Sequence, residues 1–391
     1  MYPKLINSSL RKAEEPYLYN FITDELYTLD EDALELLSYC TGRYKLTELQ
    51  DMFGNEVEEV IGFLSQEKCI EDSFQPDASE KIRVPITTIP SLRYLELHVT
   101  ERCNLRCRHC YIGDEKTVTL PIQLAAKAIR EFGEFGFRLI ITGGEPLVHP
   151  DILKILKVAS RVPVRVILLT NGLLLTPNKA RVISRYVHEV QISLDGMKSG
   201  HELIRGKDTF DKTVENIREA RKWLDVSIAT MIHSGNMNEF PSLERLVVEL
   251  GAKEWTLDFL TLKGTLVNNP SLIPPADKAI KIFQNYGFGE GTHSATENLS
   301  CGSHLCSILP DGSIAKCGFI EKPVGNIRDM SLLDGWERVV KDYLPSLNDL
   351  ECRDCMYLKE CKGGCRYRAE IEGDFLGKDL LMCSLWHGLN D

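Results

Sequence analysis

Three cysteines within eight residues, Cys103-x3-Cys107-x2-Cys110 in the segment TERCNLRCRHCY, constrain this chain more than any other feature. Structural zinc takes four protein ligands, and this segment offers no fourth cysteine. Three thiolates on one loop suit a 4Fe-4S cluster, holding three irons and leaving the fourth with open coordination. The chain has thirteen cysteines: eight more fall at 301, 306, 317, 352, 355, 361, 365 and 383, and Cys40 and Cys69 stand apart. No run of about 18 uncharged apolar residues occurs, and the first twenty residues lack the apolar core of a secretion signal. A cytoplasmic protein without a membrane partner is expected, and in a reducing compartment clustered thiols read as ligands rather than disulfides.

The 391 residues, 43% of them apolar, are enough for two or three compact units. The net charge of -11 is unevenly spread. Residues 1–78 hold 6 Lys/Arg against 17 Asp/Glu, and the other 313 hold 40 of each. All the excess acidity lies in the N-terminal fifth, which argues against nucleic acid as a partner there.

Residues 18–30 suggest a strand pair, followed by helices over Asp32–Cys40, Leu46–Met52 and Glu56–Gln66. That order reads as a small winged-helix-like α+β unit over 1–78, and the polar stretch 73–81 as a linker. Six short apolar runs follow: Tyr94–Val99, Leu139–Thr142, Val164–Leu169, Val190–Ser193, Val226–Ile232 and Trp255–Leu260. Helical periodicity lies between them over Ile122–Phe135, Ile152–Ser160, Asn178–Tyr186, Phe210–Leu224 and Ser242–Leu250. This α/β alternation predicts a parallel sheet curled into a partial (β/α)6 barrel over 90–265, with its functional groups at the strand ends. The pattern decays from about residue 290 into Gly- and Cys-rich segments, as expected of a unit held by metal.

The cysteine loop follows the first of these strands, and Thr142-Gly143-Gly144-Glu145-Pro146 ends the second. Together they resemble the radical S-adenosylmethionine superfamily over about residues 92–265. The resemblance implies that Cys103, Cys107 and Cys110 hold the cluster and that its open iron binds S-adenosylmethionine. It further implies ligand contacts from Tyr111, Gly143, Gly144, Glu145, Asn171, Ser193 and Arg205, with Asp195 a weaker candidate. The glycines are expected to let the backbone approach the ligand, and Glu145 to pair with its ammonium group.

Cys301-x10-Gly312-x4-Cys317, then Cys352-x2-Cys355-x5-Cys361-x3-Cys365 and Cys383, resemble the SPASM domain of peptide- and sulfatase-maturing enzymes. With Cys306 as an eighth ligand, the resemblance implies Cys301, Cys306, Cys317 and Cys365 on one auxiliary 4Fe-4S cluster. Cys352, Cys355, Cys361 and Cys383 would hold another, making three clusters in all. A pair of zinc knuckles is the alternative. Cys40 and Cys69 read as core residues.

The N-terminal unit resembles the peptide-recognition element of peptide-modifying radical enzymes, similar to the small chaperone of pyrroloquinoline quinone biosynthesis. The implied function is modification of a ribosomal peptide or protein whose leader this unit binds, with flavodoxin or ferredoxin as reductant. Crosslinking, thioether formation, epimerisation and oxidation all remain possible outcomes. The rival is a small-molecule enzyme, such as an oxidative decarboxylase of porphyrin side chains. Gly318, following Cys317, departs from sulfatase-maturing relatives, which carry an aspartate there. The residue supplying a proton or hydrogen atom stays unknown.

Overall fold

The computed structural model describes residues 1–73, 75–77, 79–113, 117–289, 298–300, 302–320 and 322–387. Its strands are β1 (Pro3–Leu5), β2 (Ser8–Lys12), β3 (Pro16–Asn20), β4 (Glu25–Thr28), β5 (Ile70–Asp72), β6 (Tyr94–His98) and β7 (Arg138–Thr142). They continue as β8 (Arg165–Thr170), β9 (Glu189–Ser193), β10 (Asp225–Ile232), β11 (Trp255–Phe259), β12 (Leu305–Ile308), β13 (Ser313–Ala315) and β14 (Gly325–Asn326). The helices begin with α1 (Glu31–Ser38), α2 (Leu46–Phe53), α3 (Val57–Gln66), α4 (Ile122–Gly133), α5 (Ile152–Ala159), α6 (Pro177–Ile183) and α7 (Lys198–Arg205). Those remaining are α8 (Phe210–Ala220), α9 (Phe240–Leu250), α10 (Ala276–Asn285), α11 (Leu332–Tyr343), α12 (Leu358–Cys361), α13 (Arg366–Glu372) and α14 (Leu380–His387).

The central sheet runs β11-β10-β9-β8-β7-β6-β12-β13-β14. All neighbours from β11 to β12 pair in parallel, whereas β13 and β14 are antiparallel. The six expected strands are therefore joined by a seventh parallel one from the cysteine-rich region, and the barrel stays open. Period-two alternation divides each strand between two faces. Leu95, Leu97, Leu139, Ile141, Val190, Ile192 and Ile228 turn toward the helices and form the main core. Glu96, His98, Gln191, Ser193, Ala229, Met231 and Asp258 turn inward to line a cavity. An apolar outer face and a polar inner one are what a barrel needs when its interior is a site rather than a core.

The N-terminal unit has its own core, built from Leu10, Leu18, Leu34, Leu37, Leu49, Ile61 and Leu64 with Cys40 and Cys69 among them. It contains a three-stranded sheet in the order β2-β3-β4 and a separate β1-β5 pair, where the sequence suggested only two strands. Ser8–Lys12 escapes notice because Leu10 is its only large apolar residue.

This unit is bolted to the barrel at the end opposite the cysteine loop. The turn after β3 places Asp24 at φ 73, where it bonds Arg138 at 2.8 Å, lies 3.3 Å from Arg165 and accepts from Tyr19. Arg165 is fully buried and also bonds Glu189 and the carbonyl of Ile22. Tyr19 stacks on Phe137 with ring centroids 4.9 Å apart. Arg11 donates to the carbonyls of Gly133 and Pro163. Among the described residues, no helix is long and apolar enough to cross a membrane.

Candidate active site

The loop after β6 brings Cys103, Cys107 and Cys110 to one cavity of about 1090 Å³. Backbone contacts, independent of the sulfurs, fix its path. The Arg108 N–H donates to the carbonyl of Ile204 at the end of α7. Thr265 holds the other side: its N–H donates to the Cys110 carbonyl and its hydroxyl to the Cys107 carbonyl. Gly264 beside it has φ +58, and a Cβ there would lie 2.2 Å from the Cys110 carbonyl oxygen. Only glycine allows that approach.

Gly143 and Gly144 press on the same loop from the end of β7. A Cβ on Gly143 would meet the Thr100 carbonyl at 2.4 Å, and one on Gly144 the carbonyls of Glu101 and Arg102 at 2.5 Å. Both line the cavity, so these glycines serve the packing of two loops as well as any ligand. Glu145 departs from expectation. It is fully buried and turned away from the cavity wall. Its carboxylate accepts from the Leu147 N–H at 3.0 Å, the Thr170 hydroxyl at 2.8 Å and the Asn171 N–H at 2.8 Å. Burial pushes its carboxyl up despite these donors. The geometry makes it a strut that ties the end of β7 to the end of β8.

Tyr111, Asn171, Ser193 and Arg205 all reach the cavity. Asn171 donates from its side-chain amide to the Asn104 side chain, bracing the cysteine loop. Arg205 bonds Asp195, which is fully buried and also accepts from the Met231 N–H. Burial alone would raise the Asp195 carboxyl, but Arg205 and the nearby histidines outweigh it and hold it down at about 2. The ion pair fixes a guanidinium beside the cysteine loop, where it offers charge to a carboxylate. Tyr111 packs against Phe319 at 5.0 Å, and Phe319 against Tyr367 at 5.4 Å. Lys263 lies over all three rings and donates to the carbonyls of Gly318 and Phe319. This stack joins the cysteine loop to the C-terminal unit.

A sequence model of the Radical SAM superfamily matches residues 97–247. The chain carries a radical SAM domain. AdoMet-dependent heme synthase of Methanosarcina barkeri is 29% identical over 76% of this chain and 97% of that protein. The antilisterial bacteriocin subtilosin biosynthesis protein AlbA of Bacillus subtilis is 32% identical over 63% of this chain and 60% of its own. Streptococcus suis SuiB, solved bound to S-adenosylmethionine, shares the fold with a TM-score of 0.68 at 15% identity, covering 97% of this chain and 99% of that one.

In this radical SAM enzyme the donor chemistry fits the family's cluster: three thiols on one pinned loop, all facing the cavity, suit a site-differentiated 4Fe-4S group. When bound, that group supplies the electron that cleaves S-adenosylmethionine to the radical that abstracts hydrogen. The protein's part is positional. Gly143 and Gly144 bring the β7 end onto the loop, Asn171 braces its start, and the Arg205–Asp195 pair places a cation beside it.

Of the two expected sets of C-terminal cysteines, the structure brings one together in a single pocket. Cys352, Cys355, Cys361 and Cys383 line one small pocket. Cys317 and Cys365 line the large cavity. Cys301 lies outside the described residues, and Cys306 sits on β12, fully buried in the barrel core. Sequence reasoning missed Gly264, Thr265 and the inward carboxylates Glu96 and Asp258. Single polar residues inside apolar strands, as in YLELH and WTLDF, were the available signal.

Glu145→Gln is expected to cost about 1.5–3 kcal/mol of stability in urea unfolding, because an amide nitrogen then faces an N–H or O–H donor in a buried site. A variant as stable as the parent that has lost affinity for S-adenosylmethionine would return the carboxylate to the ligand.

Proposed function

We propose that this radical SAM enzyme modifies a ribosomally made peptide or protein, abstracting hydrogen from a side chain or α-carbon. In this reading residues 1–78 hold a leader segment, 90–265 do the chemistry and 290–391 carry two auxiliary four-iron clusters. The likeness to SuiB over nearly the whole chain carries the proposal. The cavity of about 1090 Å³ takes S-adenosylmethionine as well as the substrate. It also reaches from the cysteine loop to Cys317 and Cys365, leaving room for a peptide segment beside S-adenosylmethionine. SuiB, which shares the fold over nearly the whole chain, has also been solved with its precursor peptide SuiA, and AlbA belongs to bacteriocin biosynthesis. The leader's seat is the outer edge of β4, which among the described residues pairs with β3 alone. An extended peptide can add there as a strand, beside the half-exposed Phe63 of α3 that packs on Tyr27. Flavodoxin or ferredoxin supplies the electrons, in the cytoplasm.

A second reading, oxidative decarboxylation of a porphyrin side chain, is favoured by the match to heme synthase. That match spans nearly all of heme synthase and about three quarters of this chain, a share that the match to the PqqA peptide cyclase of Methylobacterium nodulans equals. Release of 5′-deoxyadenosine, followed anaerobically with reductant, separates the two. The expected result is turnover coupled to a full-length precursor peptide and much less to the same peptide without its leader. Coupling to a carboxylate-bearing porphyrin, with none to peptide, would move the assignment to the second reading.

A further inference from the structure

One edge of the N-terminal sheet is open among the described residues, and the side chains around it are acidic. The outer side of β2 is taken near Lys12, where Ile86 bridges to it and the Thr87 N–H donates to the Lys12 carbonyl. The outer side of β4 pairs with no described strand. Alternation splits β4 between two faces. Leu26 turns to the cluster of Tyr19 and Phe137, whereas Glu25 and Tyr27 turn toward α3, where Tyr27 meets Phe63.

On the α3 side two carboxylates share one phenol. The Tyr27 hydroxyl lies 2.8 Å from Glu25 and 3.2 Å from Glu67, so the two acids stand within about 6 Å of each other. A phenol has one proton to donate, and it serves one carboxylate at a time. Burial, helped by the two acids, holds the Tyr27 phenol well above its ordinary value, so that proton stays in place. Thr23 also donates to Glu25, but neither carboxylate has an ion-pair partner among the described residues. Glu59, Phe63 and Glu67 follow at four-residue steps along α3 and its C-terminal cap, which puts them on one face. The half-exposed ring of Phe63 therefore stands between acids. Residues 46–72 hold eight Asp/Glu and one Lys, so local sequence supplies little compensation.

We propose that the strand this edge accepts is cationic: an extended peptide segment carrying Lys or Arg beside an apolar side chain, its cations meeting Glu25, Glu59 and Glu67 and its apolar group covering Phe63. The inference rests on reading the edge as the leader's seat, and it adds the chemistry the leader must have. Strand addition offers backbone hydrogen bonds to any sequence, so the row of side chains on the α3 side does the discriminating. Charge also decides among occupants. A second copy of this chain, pairing β4 with β4, would bring two such acid pairs together, and like charges across neighbouring strands destabilise the pairing. Nucleic acid and anionic membrane surfaces are repelled on the same ground.

The test selects binders from a displayed library of random short peptides on the full-length protein and measures them by fluorescence anisotropy. Binders are expected to be enriched in Lys and Arg next to Leu, Ile or Phe. They should weaken about tenfold toward the double variant Glu25→Gln/Glu67→Gln, and progressively toward the parent as salt rises. Glutamine keeps an acceptor for the Tyr27 hydroxyl at both positions, so the melting temperature should not move. Glu59→Lys, at an exposed position on α3, should weaken the same peptides. Binders without a cationic bias would overturn the charge proposal. So would binders that the glutamate variants hold as tightly as the parent does while Phe63→Asp loses them, a result that leaves the leader's seat in place. A library that yields no binder, or only binders that Phe63→Asp and the glutamate variants all hold unchanged, would remove the seat itself and the proposal with it.

Discussion

Alanine at Cys103, Cys107 and Cys110 together is expected to remove about four irons per chain and to abolish cleavage of S-adenosylmethionine. The loss should be one of chemistry and not of fold. The loop is held by the Arg108 N–H on Ile204, by Thr265 on the carbonyls of Cys107 and Cys110, and by Gly143 and Gly144 against the backbone of 100–102. None of these contacts uses sulfur, and the three cysteines are only partly buried. The metal-free forms of parent and variant should therefore unfold within about 1 kcal/mol of each other, the scale of substitutions away from the core. Each single substitution should be as damaging to cleavage as the triple one, since every thiolate holds a different iron. Iron content, 5′-deoxyadenosine release and urea unfolding measured together decide the matter. A triple variant that still cleaves S-adenosylmethionine would separate this loop from the reaction.

The barrel was legible in the sequence because its strands are short β-branched runs and its helices amphipathic, and each signal is local. All six expected strands form, with no end displaced by more than one residue. The features that escaped depend on distant partners. α7 is not among the expected helices and carries Gly200 in its first turn, yet the Glu239 carboxylate caps it by accepting the N–H groups of Met197 and Gly200. A Cβ on Gly200 would sit 2.4 Å from that carboxylate. β12 escaped for a similar reason: four residues with no turn signal pair in parallel with β6 from some two hundred positions away.

At the site, the motif spacing placed the right loops together but could not give the direction of a side chain. Glu145 and Cys306 show this. Both are polar residues in expected places, and both turn away from the cavity, one to bind the ends of β7 and β8 and the other to fill the core. Residue type announces what a group can do. Register and neighbours decide whether it faces anything to do it to.

Deleting residues 1–78 is expected to cost the barrel its stability, although every candidate ligand lies beyond Thr100. The N-terminal unit supplies Asp24 to Arg138 and Arg165, and the second of these is fully buried. Arg165 keeps Glu189 after truncation, but both arginines lose Asp24, and losing one partner of a buried ion pair costs up to about 3–5 kcal/mol. Truncation also strips Tyr19 from Phe137, which is 1% exposed in the intact chain, and Arg11 from the carbonyls of Gly133 and Pro163. Against a total stability of about 5–15 kcal/mol for an ordinary domain, these losses should yield an aggregating or much less stable protein with little bound iron. Soluble yield, melting temperature and iron content check this. Normal values for all three would show that the interface contributes little. The role of the unit in substrate recognition therefore needs a gentler probe, and Phe63→Asp on α3 provides one: Phe63 is 50% exposed and meets the Tyr27 ring edge-on. This variant should keep its iron and its uncoupled cleavage of S-adenosylmethionine. Its turnover of a full-length precursor at low concentration should fall by one or more orders of magnitude, because a docked leader raises the effective concentration of the segment to about millimolar. A variant that loses nothing at low substrate concentration would remove the peptide from this edge.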